Sequence, residues 1–278
     1  MYEPAFLPTP NRTSALLPTL RFLLTHNKTE IQSTENTVLP IGIHNCYELF
    51  VCDSTPVTFL VNNKLYRATE GTALLIKPGD IHACIFHRSC SHSFYSLWID
   101  AEPCSPFVRL LDGISENPIR TFDREDTRTL QTLLSKLDQS TPDDCADLET
   151  ATILLEIISL LKDGKPDEEA PVALPAPLQA ILDDVNENFA KIHHVHELAQ
   201  SHSVSITTLN RWFRHDLRVS PHDLLESKKL AHSMRLLSAG ESVTDACAHS
   251  GFSECSHFIR RFKAKFNTTP FKFRQRAD

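Results

Sequence analysis

No stretch of this chain approaches the roughly 18 consecutive apolar residues that a membrane-spanning helix needs, so none is predicted. Its first residues, MYEPAFLPTPNRTS, lack a basic segment followed by a long apolar one. No signal peptide is therefore expected, and the reading is a cytoplasmic protein. Among the eight cysteines (Cys46, Cys52, Cys84, Cys90, Cys104, Cys145, Cys247 and Cys255) there is no C-x-x-C pair. The expectation is reduced, partly buried thiols rather than a disulfide frame or a zinc cluster. A strong basic excess is also missing, since the net charge is −7. Any contact with nucleic acid must come from local clusters.

What is present is uneven. The 278 residues suffice for two domains of ordinary size. Residues 1–170 carry −10 and residues 171–278 carry +3, which together give the −7 of the whole. Between the halves, Pro166, Pro171, Pro175 and Pro177 follow or flank the acids Asp163, Asp167, Glu168 and Glu169, which reads as a semi-rigid linker. The division is an N-terminal domain over 1–165, a linker over 166–177 and a C-terminal domain over 178–278.

Residues 1–35 read as an arm with a strand near 20–25, either a loosely packed extension or a segment that folds over a ligand pocket. Segments 47–52, 57–61, 65–69, 73–76, 81–86 and 94–99 are short apolar runs separated by turn residues, among them Asn62-Asn63, Glu70-Gly71 and Pro78-Gly79-Asp80. Six such strands predict a sandwich or small barrel. Asp123 opens a helix whose stripe is Leu130, Leu133, Leu134 and Leu137. A second helix over 146–162 is apolar around much of its circumference (Leu148, Ala151, Leu154, Leu155, Ile158, Leu161), which predicts a helical dimer seam.

The C-terminal half contains one unit twice. Aligned on apolar residues, Leu209 matches Phe258, Phe213 matches Phe262, Leu217 matches Phe266, Pro221 matches Pro270 and Arg211 matches Arg260, at a constant offset of 49. Each copy predicts a short helix (195–201 and 243–250), a turn, and a second helix begun by Ser205 or Ser253. Gly251 occupies the second turn, where a positive φ is cheap. The outward faces carry Thr207, Asn210, Arg211 and Arg214, then Cys255, Ser256, Arg260 and Lys263; Arg and Asn are the side chains that read base edges. Residues 221–239 predict a linking helix stopped by Gly240. Lys228-Lys229, Arg260-Arg261-Lys263-Lys265 and Lys272-Arg274-Arg276 are the candidate phosphate contacts.

The string Gly251-Phe252-Ser253, Ser256, Phe258, Arg260, Phe262-Lys263, Phe266 and Pro270 resembles the signature of the AraC/XylS family of bacterial transcription regulators. The segment 178–276 fits that family's DNA-binding domain, in which a linking helix sets two recognition helices in successive major grooves. The resemblance implies base-reading positions at Thr207, Asn210, Arg211, Cys255, Ser256 and Arg260. It also implies promoter DNA and RNA polymerase as partners, a homodimer, and no enzymatic activity. The family has Gly where this chain has Arg218 and Asn267, so strain is expected at Arg218. It also prefers Ala at the position of Cys247 and an aromatic residue at that of His257.

The Gly71, Pro78-Gly79 and His82 string resembles the second half of a cupin motif, and His44-x-x-x-Glu48 loosely echoes the first. The resulting fold class is α+β with two domains: a cupin-like β-barrel with a helical dimerisation segment, then an all-α double helix-turn-helix. His44, Glu48, Tyr66, His82 and Trp98 are the residue types suited to orient a polar, sugar-like effector in a barrel interior of about 300 Å³ or more. The H-x-H pair of metal-dependent cupins is missing, so no metal or other cofactor is expected. The function read is a DNA-binding transcription regulator, of activator type, controlled by a small molecule. The rivals are control by a protein partner or by cysteine oxidation, and a metal-dependent cupin enzyme fused to a DNA reader.

Overall fold

The computed structural model describes residues 10–31, 41–52, 56–62, 64–86, 89–102, 105–140, 144–166 and 174–275. The first nine residues of the expected arm, most of the linker, and Cys104 lie outside them. The N-terminal elements are β1 (Arg12–Thr13), β2 (Leu20–Ile31), β3 (Tyr47–Cys52), β4 (Val57–Val61), β5 (Lys64–Ala68), β6 (Thr72–Ile76), β7 (His82–Ile85), β8 (Cys90–Ala101), α1 (Pro106–Ser115), β9 (Ile119–Thr121), α2 (Arg124–Gln139), α3 (Asp144–Asp163) and β10 (Lys165–Pro166).

The described strands do not close into a barrel. They form two antiparallel sheets, one ordered β1-β2-β8-β3-β6-β9-β10 and one ordered β5-β4-β7. The chain passes between the sheets at corners where Gly71 (φ 82°) and Gly79 (φ 81°) adopt left-handed backbone. Pro78, just before Gly79, has no amide hydrogen to continue a ladder. An isolated bridge between Gly42 and His82 lies outside these ladders. The strand expected near 20–25 is present and longer: β2 runs 12 residues, paired with β8 from Leu20 opposite Ala101 to Ile31 opposite Cys90. Before it, the Arg12 guanidinium donates to the carbonyls of Leu137 and Ser140, both at 3.1 Å.

Because side chains alternate across a strand, each face of the large sheet has its own core. Tyr47, Leu49, Val51, Leu75, Leu97 and Ile99 face Leu111, Ile114, Leu134 and Ile157 of α1–α3. Phe50, Cys52, Leu74 and Phe94 face Val57, Phe59 and Val61 of the small sheet. Coverage on both sides explains why β3 and β6 are buried at every position. α2 begins as expected, with the Asp123 carboxylate accepting from the amides of Glu125 and Asp126 at 2.9 Å. Its buried residues are the four predicted leucines.

The C-terminal elements are α4 (Ala176–Asn188), α5 (Val195–Ser201), α6 (Ile206–Trp212) continued by a π-helical turn over Phe213–Leu217, α7 (Pro221–Ser238), α8 (Val243–His249), α9 (Cys255–Phe266) and α10 (Pro270–Arg274). Their core includes Leu209, Phe213, Leu237, Phe258 and Phe262, each 0% exposed. The same apolar cluster continues into Ile41, Ile43, Leu60, Leu65, Ile81, Ala83 and Ile85, the outer face of the small sheet and the chain beside it. Arg218 and Asn267 are both left-handed, at φ 56° and 50°, where the resemblance calls for Gly.

The repeat is less regular than one offset. The left-handed turn residues are Ser203 and Gly251, 48 apart, whereas α6 and α9 start 49 apart. Copy two thus has one additional residue between turn and helix. Ser205 caps α6, accepting from the Thr208 amide at 3.0 Å. The equivalent N-cap of α9 is Glu254, not the expected Ser253, and its side chain makes no capping bond.

Candidate nucleic-acid interface and effector site

Both second helices bury one face and expose the other. On α6 and its π-helical continuation, Leu209, Phe213 and Leu217 point into the core, while Thr207, Arg211 and Arg214 are exposed. Asn210 is half-buried, and its amide donates to the Ile206 carbonyl at 2.9 Å, so part of its hydrogen-bonding capacity is spent within its own helix. On α9, Phe258, Phe262 and Phe266 are buried, while Cys255, Ser256, Arg260 and Lys263 are exposed.

The basic clusters divide into surface and brace. Lys228 and Lys229, expected at phosphates, are only 8% and 7% exposed. The Lys228 ammonium donates to Asn186 Oδ1 and the Lys229 ammonium to the Gly251 carbonyl, both at 2.8 Å. Burial pushes the Lys228 amine down to about 8. Arg261 forms a two-pronged pair with Glu226 of α7, and Lys265 donates to the Ile41 carbonyl. These side chains lock α4, α7, α8 and α9 together. Arg211, Arg214, Arg260, Lys263 and Lys272 remain exposed.

Three of the thiols are poorly suited to redox chemistry, because the thiolate is the reactive form. Burial pushes Cys46 and Cys84 upward. Cys247 rises to about 12, through burial and then through its hydrogen bond with Cys255.

In the N-terminal domain, three of the five expected effector residues come together. His44 Nε2 lies 3.0 Å from Glu48 Oε2, and His82 Nε2 lies 3.3 Å from the same oxygen. The three donor atoms all fall within 4.8 Å of one another. Burial would push the Glu48 carboxyl up, but the two histidine hydrogen bonds and their charges outweigh it and hold the carboxyl far below its usual range. Trp98 sits opposite Glu48 in the β3–β8 ladder and is half-buried. Tyr66 lies in the other sheet, opposite Phe59. Phe50, Phe59 and Phe94 fill the space between the sheets, with ring centroids 4.5 and 5.0 Å from Phe50. Two open clefts, of about 470 and 360 Å³, lie outside this interior along α2.

Gly42 was not foreseen as part of this cluster. A Cβ on it would stand 2.2 Å from His82 Nε2, so any side chain there would displace the ring. Its one sequence signal is the incomplete H-x-H: residue 42 occupies the position two before His44.

Paired helix-turn-helix units, cross-braced and each with an exposed Arg-bearing second helix, define a DNA-binding protein. The comparisons agree. The helix-turn-helix domain family matches residues 198–276. The HTH-type transcriptional activator RhaS of Klebsiella pneumoniae (strain 342) is 29% identical over 252 residues, covering 87% of this chain and 90% of that protein. RhaS of Escherichia coli O157:H7 is 22% identical over 245 residues, covering 84% and 87%. The crystal structure of ToxT from Vibrio cholerae O395 aligns over 91% of this chain and 96% of that one, at 16% identity and a TM-score of 0.36. The chain is thus similar to transcription regulators of the AraC/XylS family, which is not a class of enzymes. No helix among the described residues is long and apolar enough to cross a membrane.

Proposed function

We propose that this chain is a sequence-specific transcription activator that binds promoter DNA in the cytoplasm as a homodimer, engages RNA polymerase there, and is controlled by an effector bound in residues 1–165. Residues 166–177 serve as the linker and residues 178–278 as the DNA reader. The observation that carries the reading is the pair of exposed faces, Thr207, Arg211 and Arg214 on one and Ser256, Arg260 and Lys263 on the other, held by buried lysines. Curated relatives that are transcriptional activators over nearly the whole length support it. Arg211→Ala and Arg260→Ala should each weaken binding to a selected duplex by about 1–3 kcal/mol. Fluorescence anisotropy checks this, and parent-like affinity in both variants would remove the assignment of recognition helices.

The dimer rests on α3. Ala151, Leu154, Ile157, Ile158 and Leu161 are buried, whereas Leu148 and Leu155, two turns apart on that helix, are 63% and 43% exposed. Leu16, 56% exposed, follows the residue whose amide donates to Asp147. Exposed leucines at heptad spacing suit a paired helix. Replacing both Leu148 and Leu155 with Glu should give a folded monomer by sedimentation and abolish cooperative occupancy of repeated half-sites. A variant that stays dimeric would place the seam elsewhere.

The effector is read in the His44, Glu48 and His82 cluster, with Trp98 beside it. The upward shifts of Cys46, Cys84 and Cys247 weigh against oxidation at those three positions, while Cys255 is exposed.

A further inference from the structure

His44 Nδ1 lies 2.8 Å from the Cys46 carbonyl, and His82 Nδ1 lies 3.2 Å from the Asp80 carbonyl. A carbonyl oxygen only accepts, so both Nδ1 atoms carry the hydrogen. Nε2 of each ring faces the same carboxylate oxygen, at 3.0 and 3.3 Å; it donates there when its ring is charged and offers a lone pair when the ring is neutral. Three atoms able to ligate a cation therefore converge in an interior where His44 and Glu48 are 4% and 8% exposed. Two imidazolium rings, with centroids 5.0 Å apart, would satisfy the carboxylate only by burying like charges side by side. A divalent cation satisfies all three atoms at once. For a tetrahedral ion with bonds near 2.1 Å, ligand atoms stand about 3.4 Å apart; the two nitrogens lie 3.0 and 3.3 Å from the Glu48 oxygen, and all three atoms fall within 4.8 Å of one another. Backbone carbonyls that hold the remote nitrogen of each ring are the usual outer support of metal-bound histidine.

We propose that His44 Nε2, His82 Nε2 and Glu48 Oε2 bind a first-row divalent transition-metal ion, and that this ion is the effector of the regulator. The regulatory half rests on the effector-controlled reading above. Two imidazoles and one carboxylate select such ions over calcium and magnesium, which prefer all-oxygen shells. Missing the H-x-H pair leaves one ligand fewer than metal-dependent cupins have, and three protein ligands suffice for a four-coordinate ion completed by water.

The cluster is joined to the DNA reader at both ends. The His44 carbonyl accepts from the Gly79 amide at 2.8 Å, and Gly79 abuts α7, where an added Cβ would stand 3.5 Å from Met234 Cε and 3.6 Å from Arg235 Cγ. His82 pairs with Gly42 through amide-to-carbonyl bonds of 2.7 and 3.1 Å, and the adjacent Ile41 carbonyl accepts from Lys265 of α9. An ion drawing His44 and His82 onto Glu48 acts on the segments that touch the linking helix and the second recognition helix, which is where a coupling free energy between the two sites would arise.

The test uses the full chain stripped of metal. Zinc and cobalt are added separately, with magnesium and calcium as controls. We expect one tightly held zinc or cobalt per chain by elemental analysis after desalting, cobalt absorption bands of a low-coordinate nitrogen–oxygen site, and an upward shift in Tm. Glu48→Gln and His82→Gln, which keep size and polarity, should weaken metal binding about tenfold or more. Affinity for a duplex selected from a random pool should change with zinc in the parent and not in either variant. Absence of stoichiometric binding in a parent that still binds DNA overturns the metal site and leaves the DNA-reading assignment intact, as does metal retained equally by both variants. Metal bound at the triad without any change in DNA affinity overturns the regulatory half. Metal binding in a chain that binds no duplex under any condition overturns the transcription-regulator reading while the site stands.

Discussion

Gly251→Ala should destabilise the C-terminal half by about 3–4 kcal/mol and cost the second module its hold on DNA. Two effects add. Gly251 has φ 76°, where a side chain costs about 1 kcal/mol. The new Cβ would also stand 2.1 Å from the Ala190 carbonyl oxygen and 2.7 Å from that residue's C and Cα, all backbone atoms that no rotamer change can clear. The Gly251 carbonyl is held by the Lys229 ammonium as well, so the turn is pinned from two sides and cannot drift away. Gly240→Ala is the matched control: its φ of 89° is equally left-handed, but nothing lies within 4 Å of the added Cβ. It should cost about 1 kcal/mol and leave DNA affinity unchanged. Denaturant unfolding followed by Trp212 on α6 separates the two. Equal losses would mean that the Ala190 contact contributes nothing.

Local chemistry carried the reading of these turns, and the same holds for most element boundaries. The stretches 47–52 and 57–61 are strands at the expected limits, and the helix over 195–201 is as expected, because each is marked by its own apolar period and flanking turn residues. Arg218 was legible as strained from its position just past a recognition helix, and its φ is 56°. What failed depended on partners far along the chain. Lys228 is adjacent to Lys229 on an amphipathic helix and reads as a surface cation; it is buried, and Asn186, 42 residues earlier, offers it an acceptor. A strand near 20–25 was legible, but its full length to Ile31 was not, because its pairing partner, β8, lies about 70 residues later. α1 was missed although Ser105-Pro106 is a legible start, with the serine hydroxyl accepting from the Phe107 amide.

The cluster in the N-terminal domain shows the same divide. His44 and Glu48 were legible as a pair four apart, and His82 as the residue that follows a Pro-Gly turn. Convergence on one oxygen was not, since it depends on the Gly42–His82 bridge and on carbonyls of Cys46 and Asp80 that carry no side-chain signature. Tyr66 and Trp98 were chosen by type alone. Register put Trp98 opposite Glu48 and placed Tyr66 in the other sheet. Sandwich or barrel was left open by the sequence for a related reason: turn residues locate corners, but whether strands on either side of a corner share a ladder is decided by hydrogen bonds across the whole sheet.

Phe262→Ala should be the most damaging core substitution in the second module, at about 4 kcal/mol. Phe262 is 0% exposed, and its ring has centroids of Phe258, Phe266 and Phe273 at 5.6, 4.4 and 5.6 Å. Truncation removes one partner from three aromatic pairs and leaves a cavity that rigid neighbouring rings fill poorly. Phe262→Leu keeps most of the volume and should cost about 1.5 kcal/mol or less. Phe213, its counterpart in the first module, is equally buried but has the aliphatic Leu209 and Leu217 on its own face, and more flexible neighbours can close part of a cavity. Phe213→Ala is therefore expected to cost less than Phe262→Ala, with urea unfolding followed by Trp212 fluorescence as the measurement. Because Phe262 packs behind the exposed Arg260 and Lys263, its loss should also displace the α9 face: a duplex bound through both modules would fall to the affinity of the first alone, while Phe262→Leu retains both. Equal destabilisation by Phe213→Ala and Phe262→Ala would show that the aromatic cluster adds nothing beyond the area it buries.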